Sequence, residues 1–236
     1  MNIAVLPARG GSKRITDKNI MPFAGRPMIG HALEAARESG LFDAIHVSTE
    51  SDTIRETVEG LGFPVDFMRP TELADDVTGL APVLRHVLEH YRDAGRDFET
   101  VCLIYPCAPL LEADDLKRGY EVFEKFDGNR DVMSVAEFPV PAEWAYSMDE
   151  DGLLTPRTPG GGAIRSQDLK KAYFDSASFA IFSAARVYAG LPDLDMNLAA
   201  VVLPKYRAVD IDEPEDVRLA EILYYGKRAL DENGNG

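Results

Sequence analysis

Apolar residues along the chain alternate between two spacings, and this alternation predicts a series of strands and helices. Short apolar runs at residues 3–6, 44–48, 65–68, 100–105 and 131–138 have the length of buried strands. Between these runs, apolar residues recur every three or four positions, as in helices that cover a sheet. The repeated order of strand and helix predicts a mostly parallel sheet with helices on both faces.

Four helices are predicted between these strands, at about residues 29–40, 54–62, 83–95 and 116–123. The first three end at a glycine, which is favoured just after a helix because it readily adopts the left-handed conformation. Together, the strands and helices predict a single α/β domain that takes up the whole chain of 236 residues.

The alternation breaks between residues 139 and 183, where prolines and a glycine triplet make the chain rich in turns. Residues 146–148 and 153–155 flank an acidic turn and are predicted to pair as a hairpin. Residues 178–182 have the composition of a strand. We interpret 139–183 as an excursion from the sheet and not as a second domain.

The α/β pattern resumes with predicted strands at 199–203 and 207–211. The last helix is predicted to begin with Asp212 as its N-cap and Glu215 at the capping-box position. This helix runs toward residue 230, and we expect residues 231–236 to form a disordered tail.

The composition argues against several classes of partner. Lys and Arg number 25 and Asp and Glu number 40, which gives a formal net charge of −15. Nucleic acid is therefore not an expected partner, because its phosphate backbone requires a basic surface. The sequence shows no apolar run of membrane-spanning length, no polybasic segment and no recognisable leader, so we expect a cytoplasmic protein without a membrane partner.

Against this negative charge, the segment after the first strand collects cations around two glycines. Arg-Gly-Gly-Ser-Lys at 9–13 is followed five residues later by Lys-Asn. Gly10 and Gly11 have no side chain, so their backbone can approach an anion and adopt positive φ, and successive N–H groups in such a turn form an anion-binding nest. The segment fits neither the Walker A loop nor the G-x-G-x-x-G fingerprint. We interpret it as a triphosphate-binding loop, and a solvated Gly-Gly turn is the alternative.

Two carboxylates are separated by one residue near the end of the chain. Asp210 and Asp212 share one side of the predicted strand end, because side chains alternate between the two faces of a strand. A pair of carboxylates suits Mg²⁺, which proteins usually hold with one or two carboxylates plus substrate phosphates. On this triplet alone, a helix cap beside a surface carboxylate is an equally good interpretation.

Two further groups of polar residues could contact a ligand. Arg69, Asp76 and Thr78 follow the third predicted strand, and ligands of open α/β sheets bind outside the carboxyl ends of strands. In the excursion, Arg165 and Gln167 offer a guanidinium for a carboxylate and an amide for hydroxyls. A solvent-facing loop is the competing interpretation of each group.

In combination, these motifs resemble the cytidylyltransferases that activate nine-carbon α-keto acid sugars, namely the CMP-sialic acid synthetases and the pseudaminic acid cytidylyltransferases. The resemblance covers nearly the whole chain. It rests on residues 6–13, Lys18-Asn19, Gly25-Arg-Pro-Met-Ile29, Val47-Ser-Thr49, residues 69–78, Arg165-Ser-Gln-Asp-Leu169 with Tyr173, and Asp210-Ile-Asp212. Residues 69–78 and 165–169 are most similar to the pseudaminic acid branch.

The resemblance implies a Rossmann-like domain of the nucleotidyltransferase type, with an inserted dimerisation arm at 139–183, and hence a homodimer. The implied reaction joins CTP to an acidic α-keto sugar and releases pyrophosphate, with Mg²⁺ as cofactor. The implied catalytic residues are Arg9, Lys13, Lys18, Asp210 and Asp212, of which the two aspartates hold the metal. The implied nucleotide contacts are Leu6, Ala8, Arg9, Gly10, Gly11, Ser12, Lys13, Lys18, Asn19, Arg69, Asp76 and Thr78. The implied sugar contacts are Tyr105, Arg165, Gln167, Asp168 and Tyr173.

Two segments depart from the family's pattern and leave the identity of the sugar open. Tyr-Pro-Cys-Ala-Pro at 105–109 stands where sialic acid synthetases have a segment similar to Gln-Pro-Thr-Ser-Pro. Tyr-Phe-Asp-Ser-Ala-Ser-Phe at 173–179 stands where the pseudaminic acid branch has Tyr-His-Asp-Ala-Gly-Gln-Phe. N-acetylneuraminate, legionaminate and Kdo are therefore alternatives to pseudaminic acid. A non-catalytic nucleotide-binding protein of the same fold is a further alternative, which the presence of both aspartates disfavours.

Overall fold

The computed structural model describes residues 1–75, 77–192 and 196–234, with side chains in the last range described up to residue 232. Its strands are β1 (Asn2–Pro7), β2 (Pro22–Phe23), β3 (Arg26–Pro27), β4 (Ala44–Ser48), β5 (Thr100–Ile104), β6 (Asp131–Glu137), β7 (Tyr146–Met148), β8 (Leu154–Pro156), β9 (Tyr173–Ser183) and β10 (Leu198–Val202). Its helices are α1 (Met28–Ser39), α2 (Asp52–Gly60), α3 (Leu80–Asp93), α4 (Ala113–Lys125), α5 (Ala184–Tyr188) and α6 (Pro214–Gly234).

Within the described residues, a six-stranded sheet in the order β10-β6-β9-β5-β1-β4 forms the centre of the molecule. Neighbouring strands run parallel, except that β9 is antiparallel to both β5 and β6. Helices α1, α2 and α4 pack on one face and α3 and α5 on the other. The predicted mostly parallel sheet, covered by helices on both faces, is therefore confirmed.

The central strand β1 divides the core between the two faces. Ala4 and Leu6 pack into the cluster with α1, α2 and α4, and Ile3 and Val5 pack into the cluster with α3. All four side chains are fully buried, because neighbouring strands and helices surround them. A strand covered on both faces forms a continuous apolar run, which explains why the sequence predicts this one clearly.

A third, smaller apolar cluster holds together the loops that meet at the end of the sheet. Ile15, Phe23 and Met28, which follow β1 in the sequence, pack against Ile211 and Val217. The cluster thus fixes the cation-rich loop after β1 relative to the segment that carries the two predicted metal ligands. These segments lie about 200 residues apart in the sequence, so no local pattern could indicate their contact.

The excursion from the sheet ends at Tyr173, ten residues earlier than predicted. The whole span Tyr173–Ser183 forms β9, in the middle of the sheet. Phe179 on this strand packs beneath α4, where Gly119 allows the close approach: a Cβ at position 119 would lie 2.6 Å from the Phe179 ring. Of the predicted excursion 139–183, residues 139–172 therefore lie outside the sheet, and we call this segment the arm.

The predicted strand at 65–68 is wrong. This segment does not join the sheet, and at its end Arg69 N–H donates to the carbonyl of Thr49 at 2.8 Å. Phe67 in this segment instead stacks on two histidine rings, with its ring centroid 4.2 Å from that of His46 and 3.7 Å from that of His90. Burial of a single aromatic ring produces the same local hydrophobicity as a strand.

The predicted strand at 207–211 is also wrong. The chain forms a 3₁₀ turn at Lys205–Arg207 and then continues without strand pairing. Arg207 is buried and makes a bidentate ion pair with Asp115 of α4, with N···O distances of 2.5 and 2.9 Å. This ion pair fixes the backbone just before the two predicted metal ligands. The sequence pattern instead predicts that pairing within the sheet holds this segment in place.

The last helix differs from the prediction at both ends. Asp212 is not its N-cap: the carboxylate of Asp216 accepts hydrogen bonds from the backbone N–H groups of Asp212 and Glu213, at 2.9 and 2.7 Å. The helix continues to Gly234, into the segment predicted as a disordered tail, and the Lys227–Asp231 pair at 2.7 Å supports its last turns. Residues 235 and 236 lie outside the described residues.

The arm contains the predicted hairpin, formed by β7 and β8. Its 3₁₀ turn at Gly161–Ala163 packs against the turn at Ala142–Trp144, and the Trp144 indole donates to the carbonyl of Ile164 at 3.1 Å. Several large apolar side chains of the arm are exposed. They are Val140, Tyr146, Met148, Leu153, Leu154 and Ile164.

We expect the protein to lose stability below pH 6.5 because His46 is buried in neutral form. Burial lowers the pKa of His46 to about 3, against a weaker opposing effect of Asp66. The unfolded chain therefore binds a proton that the folded chain excludes, and the free energy of unfolding falls from about pH 6.5 down to the folded pKa. Between pH 7 and pH 5 we expect a loss of about 2 kcal/mol, from one proton at 1.36 kcal/mol per unit.

Urea denaturation at several pH values measures this loss, and His46→Phe provides the comparison. For the variant, we expect the free energy of unfolding to change less steeply with pH, by the equivalent of about one bound proton. An unchanged slope would show that His46 is not the group that resists protonation.

Candidate active site

The loop after β1 is anchored to the end of β4 and the start of α2. Ala8 N–H donates to the carbonyl of Ser48 at 2.9 Å, and Gly10 N–H donates to the Glu50 carboxylate at 2.7 Å. Within the loop, the side chain of Asn19 donates to the carbonyl of Arg9 at 3.0 Å. The position of the loop is thus defined by hydrogen bonds at three points.

Gly10 and Gly11 do not use the positive φ that glycine can adopt, since neither is among the described glycines with positive φ. Gly10 is needed for space, since a Cβ there would lie 3.1 Å from the Cβ of Ser51. Its N–H group donates to Glu50 and is therefore not available to an anion, so the positive charge that the loop presents is that of its side chains.

A cavity of about 540 Å³ opens between this loop, the start of α3 and the segment before α6. It brings together ten of the residues predicted from the sequence. They are Arg9, Ser12, Lys13, Lys18, Asn19, Arg69, Thr78, Tyr105, Asp210 and Asp212. The cavity lies at the carboxyl ends of β1 and β5, where ligands bind in open α/β folds.

The acidic and basic sides of the cavity meet at Asp212. Its carboxylate lies 2.7 Å from Arg14 and 3.3 Å from Lys18, and the Lys18 ammonium also donates to the carbonyl of Ile211 at 2.5 Å. Lys18 therefore holds the acidic segment against the cation-rich loop. Arg14 directly follows Lys13 and adds a further cation to the loop, and nothing in the sequence indicates its pairing with Asp212.

Asp210 lies beside Asp212 in an environment that disfavours its charge. Desolvation raises the pKa of Asp210, and the neighbouring Asp212 carboxylate raises it further. Such a pair is suited to a divalent cation, which offsets the repulsion between the two charges. Among the described residues, no group of three His, Cys, Asp or Glu residues is arranged to hold a metal by itself. The pair therefore fits a cation that also binds substrate oxygens.

Arg69 forms part of the cavity wall and is itself buried. Its guanidinium donates to the side chain of Ser48 at 3.1 Å, to the Ser48 carbonyl, and to the carbonyl of Leu73 at 3.5 Å. Desolvation lowers the pKa of Arg69, an effect that Glu50 opposes. These contacts fix the guanidinium at the cavity wall and connect the end of β4 to the turn that precedes Thr78.

Tyr105 and Cys107 line the same cavity in protonated form at neutral pH. Desolvation raises the pKa of each to about 12. The Cys107 thiol donates to the side-chain oxygen of Asn19 at 3.2 Å and so contributes to the position of the loop. Neither residue is poised to act as an ionised nucleophile.

The remaining predicted contacts do not line this cavity. Leu6 and Ala8 have fully buried side chains, and Gly10 and Gly11 lie in the loop beside the cavity. The arm residues Arg165 and Asp168 are exposed and bonded to each other at 2.9 Å. Gln167 and Tyr173 are exposed as well. Asp76 lies outside the described residues.

The fold and the cavity together define a nucleotidyltransferase: a doubly wound α/β sheet with a cation-rich loop after its first strand and a carboxylate pair facing that loop. A profile of the family described as "Cytidylyltransferase" matches residues 3–140. The chain belongs to this family.

Relatives of known name agree with this assignment. The chain is 34% identical, over 94% of its length and 96% of the relative's, to "Pseudaminic acid cytidylyltransferase" of Campylobacter jejuni. It is 32% identical, over 64% of its length and 65% of the relative's, to "CMP-N,N'-diacetyllegionaminic acid synthase" of Legionella pneumophila. The fold is similar to that of CMP:2-keto-3-deoxy-manno-octonic acid synthetase complexed with CTP, with a TM-score of 0.69, 15% identity, and coverage of 96% of this chain and 99% of that one.

Across the part of the chain that the structure describes, every helix is too short or too polar to cross a bilayer.

Proposed function

We propose that the protein transfers the cytidylyl group of CTP to an acidic nine-carbon α-keto sugar and releases pyrophosphate. The observation that carries the proposal is the cavity itself, in which the cations of the loop face Asp210 and Asp212. Its volume of about 540 Å³ falls in the range of small-molecule sites. The relatives named above act on pseudaminic acid and on a diacetylated legionaminic acid, so we propose a sugar of this acylated, acidic class. We propose a cytoplasmic location because that is where CTP is available.

In the proposed reaction, the loop binds and orients the triphosphate. Arg9 and Lys13 line the cavity beside Ser12, where their charges offset the negative charge of the nucleotide and of the departing pyrophosphate. Lys18 holds the acidic segment in contact with the loop. A hydroxyl of the sugar attacks the α-phosphorus and releases its proton to solvent, while the bond from the α-phosphorus to the pyrophosphate oxygen breaks on the opposite side and pyrophosphate departs.

Asp210 and Asp212 are the residues that would hold Mg²⁺ in this site. When bound, the ion would stabilise the charge that develops on the α-phosphate. In the structure, Asp212 pairs with Arg14 and Lys18, so these two cations balance its charge in the protein without ligand. Tyr105, which lines the cavity, the arm residues Arg165, Gln167 and Asp168, and Tyr173 at the start of β9 are the proposed sugar contacts.

Pyrophosphate release tests the proposal, with each of the four nucleoside triphosphates assayed against a panel of acidic sugars, with Mg²⁺ and with excess EDTA. We expect turnover only with CTP and only with a divalent metal, and highest with a nonulosonic acid. Unchanged turnover in EDTA would contradict the metal assignment. Comparable rates with ATP or UTP would contradict the cytidine assignment. A preference for Kdo would show that the sugar substrate is Kdo and not a nonulosonic acid.

We expect the protein to be a homodimer that uses the arm as its interface. The exposed apolar side chains of the arm form a patch that a monomer would leave in water. Gly161 allows the arm to fold, because a Cβ there would lie 2.2 Å from the backbone oxygen of Glu143. Light scattering is expected to show a dimer for the native chain and an increased monomer fraction for Gly161→Ala.

The control for that measurement is Gly152→Ala, at a hairpin turn where a Cβ would meet nothing within 4 Å, although its φ of +82° adds local strain. The control is expected to remain a dimer. A native protein that is monomeric at 26 kDa in the micromolar range would contradict the assignment of the arm.

A further inference from the structure

Strand β9 has a wide bulge where it passes the substrate cavity. On β6, the register with β9 is interrupted between Met133 and Val135. Ser134, the residue between them, faces the four residues 176–179 of β9, where a regular antiparallel pair would place a single residue. We call residues 176–179 the β9 bulge. Because the ladder is interrupted here, backbone groups of the bulge need other hydrogen-bond partners.

The side chain of Ser134 supplies these partners. Its hydroxyl donates to the carbonyl of Phe179 and accepts from the N–H group of Phe179, both at 2.9 Å. It also accepts from the hydroxyl of Ser176 at 2.8 Å, so its one donor and two acceptor positions are all occupied. Ser134 and Ser176 are fully buried. An unsatisfied polar group in such a place is strongly unfavourable, so the bulge depends on this hydroxyl.

The β9 bulge determines part of the cavity wall. Ala177 lines the substrate cavity in a left-handed conformation with φ of 48°, and its N–H group donates to the Asp175 carboxylate at 2.8 Å. The carbonyl of Ser178 accepts a hydrogen bond from the backbone N–H of Tyr105 at 3.0 Å. Tyr105 is a proposed sugar contact. The bulge therefore fixes both Ala177 in the wall and the backbone that carries Tyr105.

We infer that Ser134 is a positioning residue for the sugar side of the cavity, because its hydroxyl holds the β9 bulge in the shape that places Ala177 and Tyr105 in the wall. This inference rests on the proposed function. Ser134 is fully buried and does not line the cavity. It acts through the backbone of Phe179 and the rest of the bulge, without contact with substrate.

The nucleotide side of the cavity is fixed by contacts that do not involve the bulge. The loop after β1 is anchored at Ser48 and Glu50, and Lys18 holds it against the acidic segment. A disturbed bulge is therefore expected to weaken the binding of the sugar acid, while the binding of CTP stays the same.

The first experiment measures the steady-state kinetics of Ser134→Ala, with CTP and the acidic sugar that gives the highest turnover in the panel described above. We expect the KM of the sugar to rise about 10- to 100-fold, since a displacement of roughly 1 Å in a binding site can have an effect of this size. We expect the KM of CTP to stay unchanged. The melting temperature reports whether the variant is folded.

Two further variants test whether the hydroxyl itself is responsible. Ser134→Thr and Ser134→Val have nearly the same shape as each other, and β-branched residues suit a strand. Threonine keeps the hydroxyl and valine lacks it, so any effect of the added volume is common to both. We expect the threonine variant to have a sugar KM near the native value and the valine variant to resemble Ser134→Ala.

Ser39→Ala is the matched control for a general loss of stability. Ser39 is 7% exposed, and its hydroxyl also joins two backbone groups, with donation to the carbonyl of Ala36 at 2.7 Å and acceptance from the N–H of Leu41 at 3.3 Å. It lies at the end of α1 and does not line the substrate cavity. We expect this variant to have a lower melting temperature and native KM values for both substrates.

Ser176→Ala is the milder variant, which applies if Ser134→Ala does not fold. It removes one donor to Ser134 and leaves both bonds between Ser134 and Phe179 in place. We expect the sugar KM to rise about threefold, the equivalent of one weak hydrogen bond, with the KM of CTP unchanged.

Three outcomes overturn the inference and leave the proposed function intact. The first is an unchanged sugar KM in folded Ser134→Ala or, if that variant does not fold, in Ser176→Ala. The second is an equal rise in the KM of the sugar and of CTP, which would indicate a general loss of structure. The third is the same sugar KM for Ser134→Thr and Ser134→Val. Absence of turnover of CTP with every acidic sugar in the native enzyme would instead reject the proposed function, and the inference with it.

Discussion

Asp212→Asn is expected to lower kcat by two to four orders of magnitude and to leave the melting temperature nearly unchanged. The substitution keeps the size of the side chain but removes one of the two charges proposed to hold Mg²⁺. Several kcal/mol of transition-state stabilisation can depend on such a metal, and each 1.36 kcal/mol changes the rate tenfold. The cost in stability is small because the ion pairs of Asp212 with Arg14 and Lys18 are partly exposed to solvent.

Asp216→Ala is the control for this substitution, since Asp216 supplies the helix cap. We expect it to cost about 1 kcal/mol of stability and to affect kcat much less than Asp212→Asn. Steady-state kinetics and Mn²⁺ binding in the presence of CTP, followed by electron paramagnetic resonance, measure the two effects separately. Retention of near-normal kcat and Mn²⁺ affinity by Asp212→Asn would show that the metal assignment is incorrect.

Asp115→Ala is expected to lower the free energy of unfolding by about 3–5 kcal/mol, the largest effect on stability that we predict. Asp115 is 1% exposed and accepts two hydrogen bonds from Arg207, which is 8% exposed. Removal of the carboxylate leaves a buried guanidinium without its main partner, with only Glu112 remaining beside it. Because Arg207 precedes Asp210 by three residues, we also expect reduced activity at temperatures where the variant is folded.

Urea denaturation measures this effect, with the neighbouring Asp114→Ala as control. Asp114 pairs with Lys117 at the surface, so its loss is expected to change stability hardly at all. The double variant Asp115→Leu/Arg207→Met should recover much of the loss, because both buried charges are then absent. A small effect of Asp115→Ala alone would show that the pair contributes little.

The sequence predicts the strands and helices well wherever burial alone determines the pattern. Strand β4 was predicted at its observed bounds, and α1 was predicted to end at Gly40, which is left-handed in the structure. The two wrong strands show the limit of this signal. In residues 65–68 and 207–211, the side chains of Phe67 and Ile211 pack against neighbouring elements. Such a packed side chain gives a short segment the same local composition as a strand that is paired in a sheet.

The cavity could be predicted only in part. The cations of the loop and the two aspartates form compact motifs with a clear chemical purpose, and the fold brings them together. The contacts that set their geometry join residues far apart in the chain, such as Arg207 with Asp115 and Lys18 with Ile211. A glycine pair shows that positive φ is possible and not whether it is used, and in the structure Gly10 and Gly11 do not use it.

The position of β9 has a consequence for the order in which the protein folds during synthesis. Strand β6 pairs only with β9 and β10 among the described strands, and both follow it in the chain. The first 140 residues, which contain the whole family match, therefore leave β6 without a partner and one edge of β5 unpaired. The arm leaves and re-enters the sheet through adjacent positions, Glu137 and Tyr173, so it acts as a long closed loop between paired strands. While the ribosome makes the arm, both edges of β6 and one edge of β5 stay unpaired, and completion of β9 pairs the free edge of β5 and one edge of β6 at once, which leaves the other edge of β6 to β10.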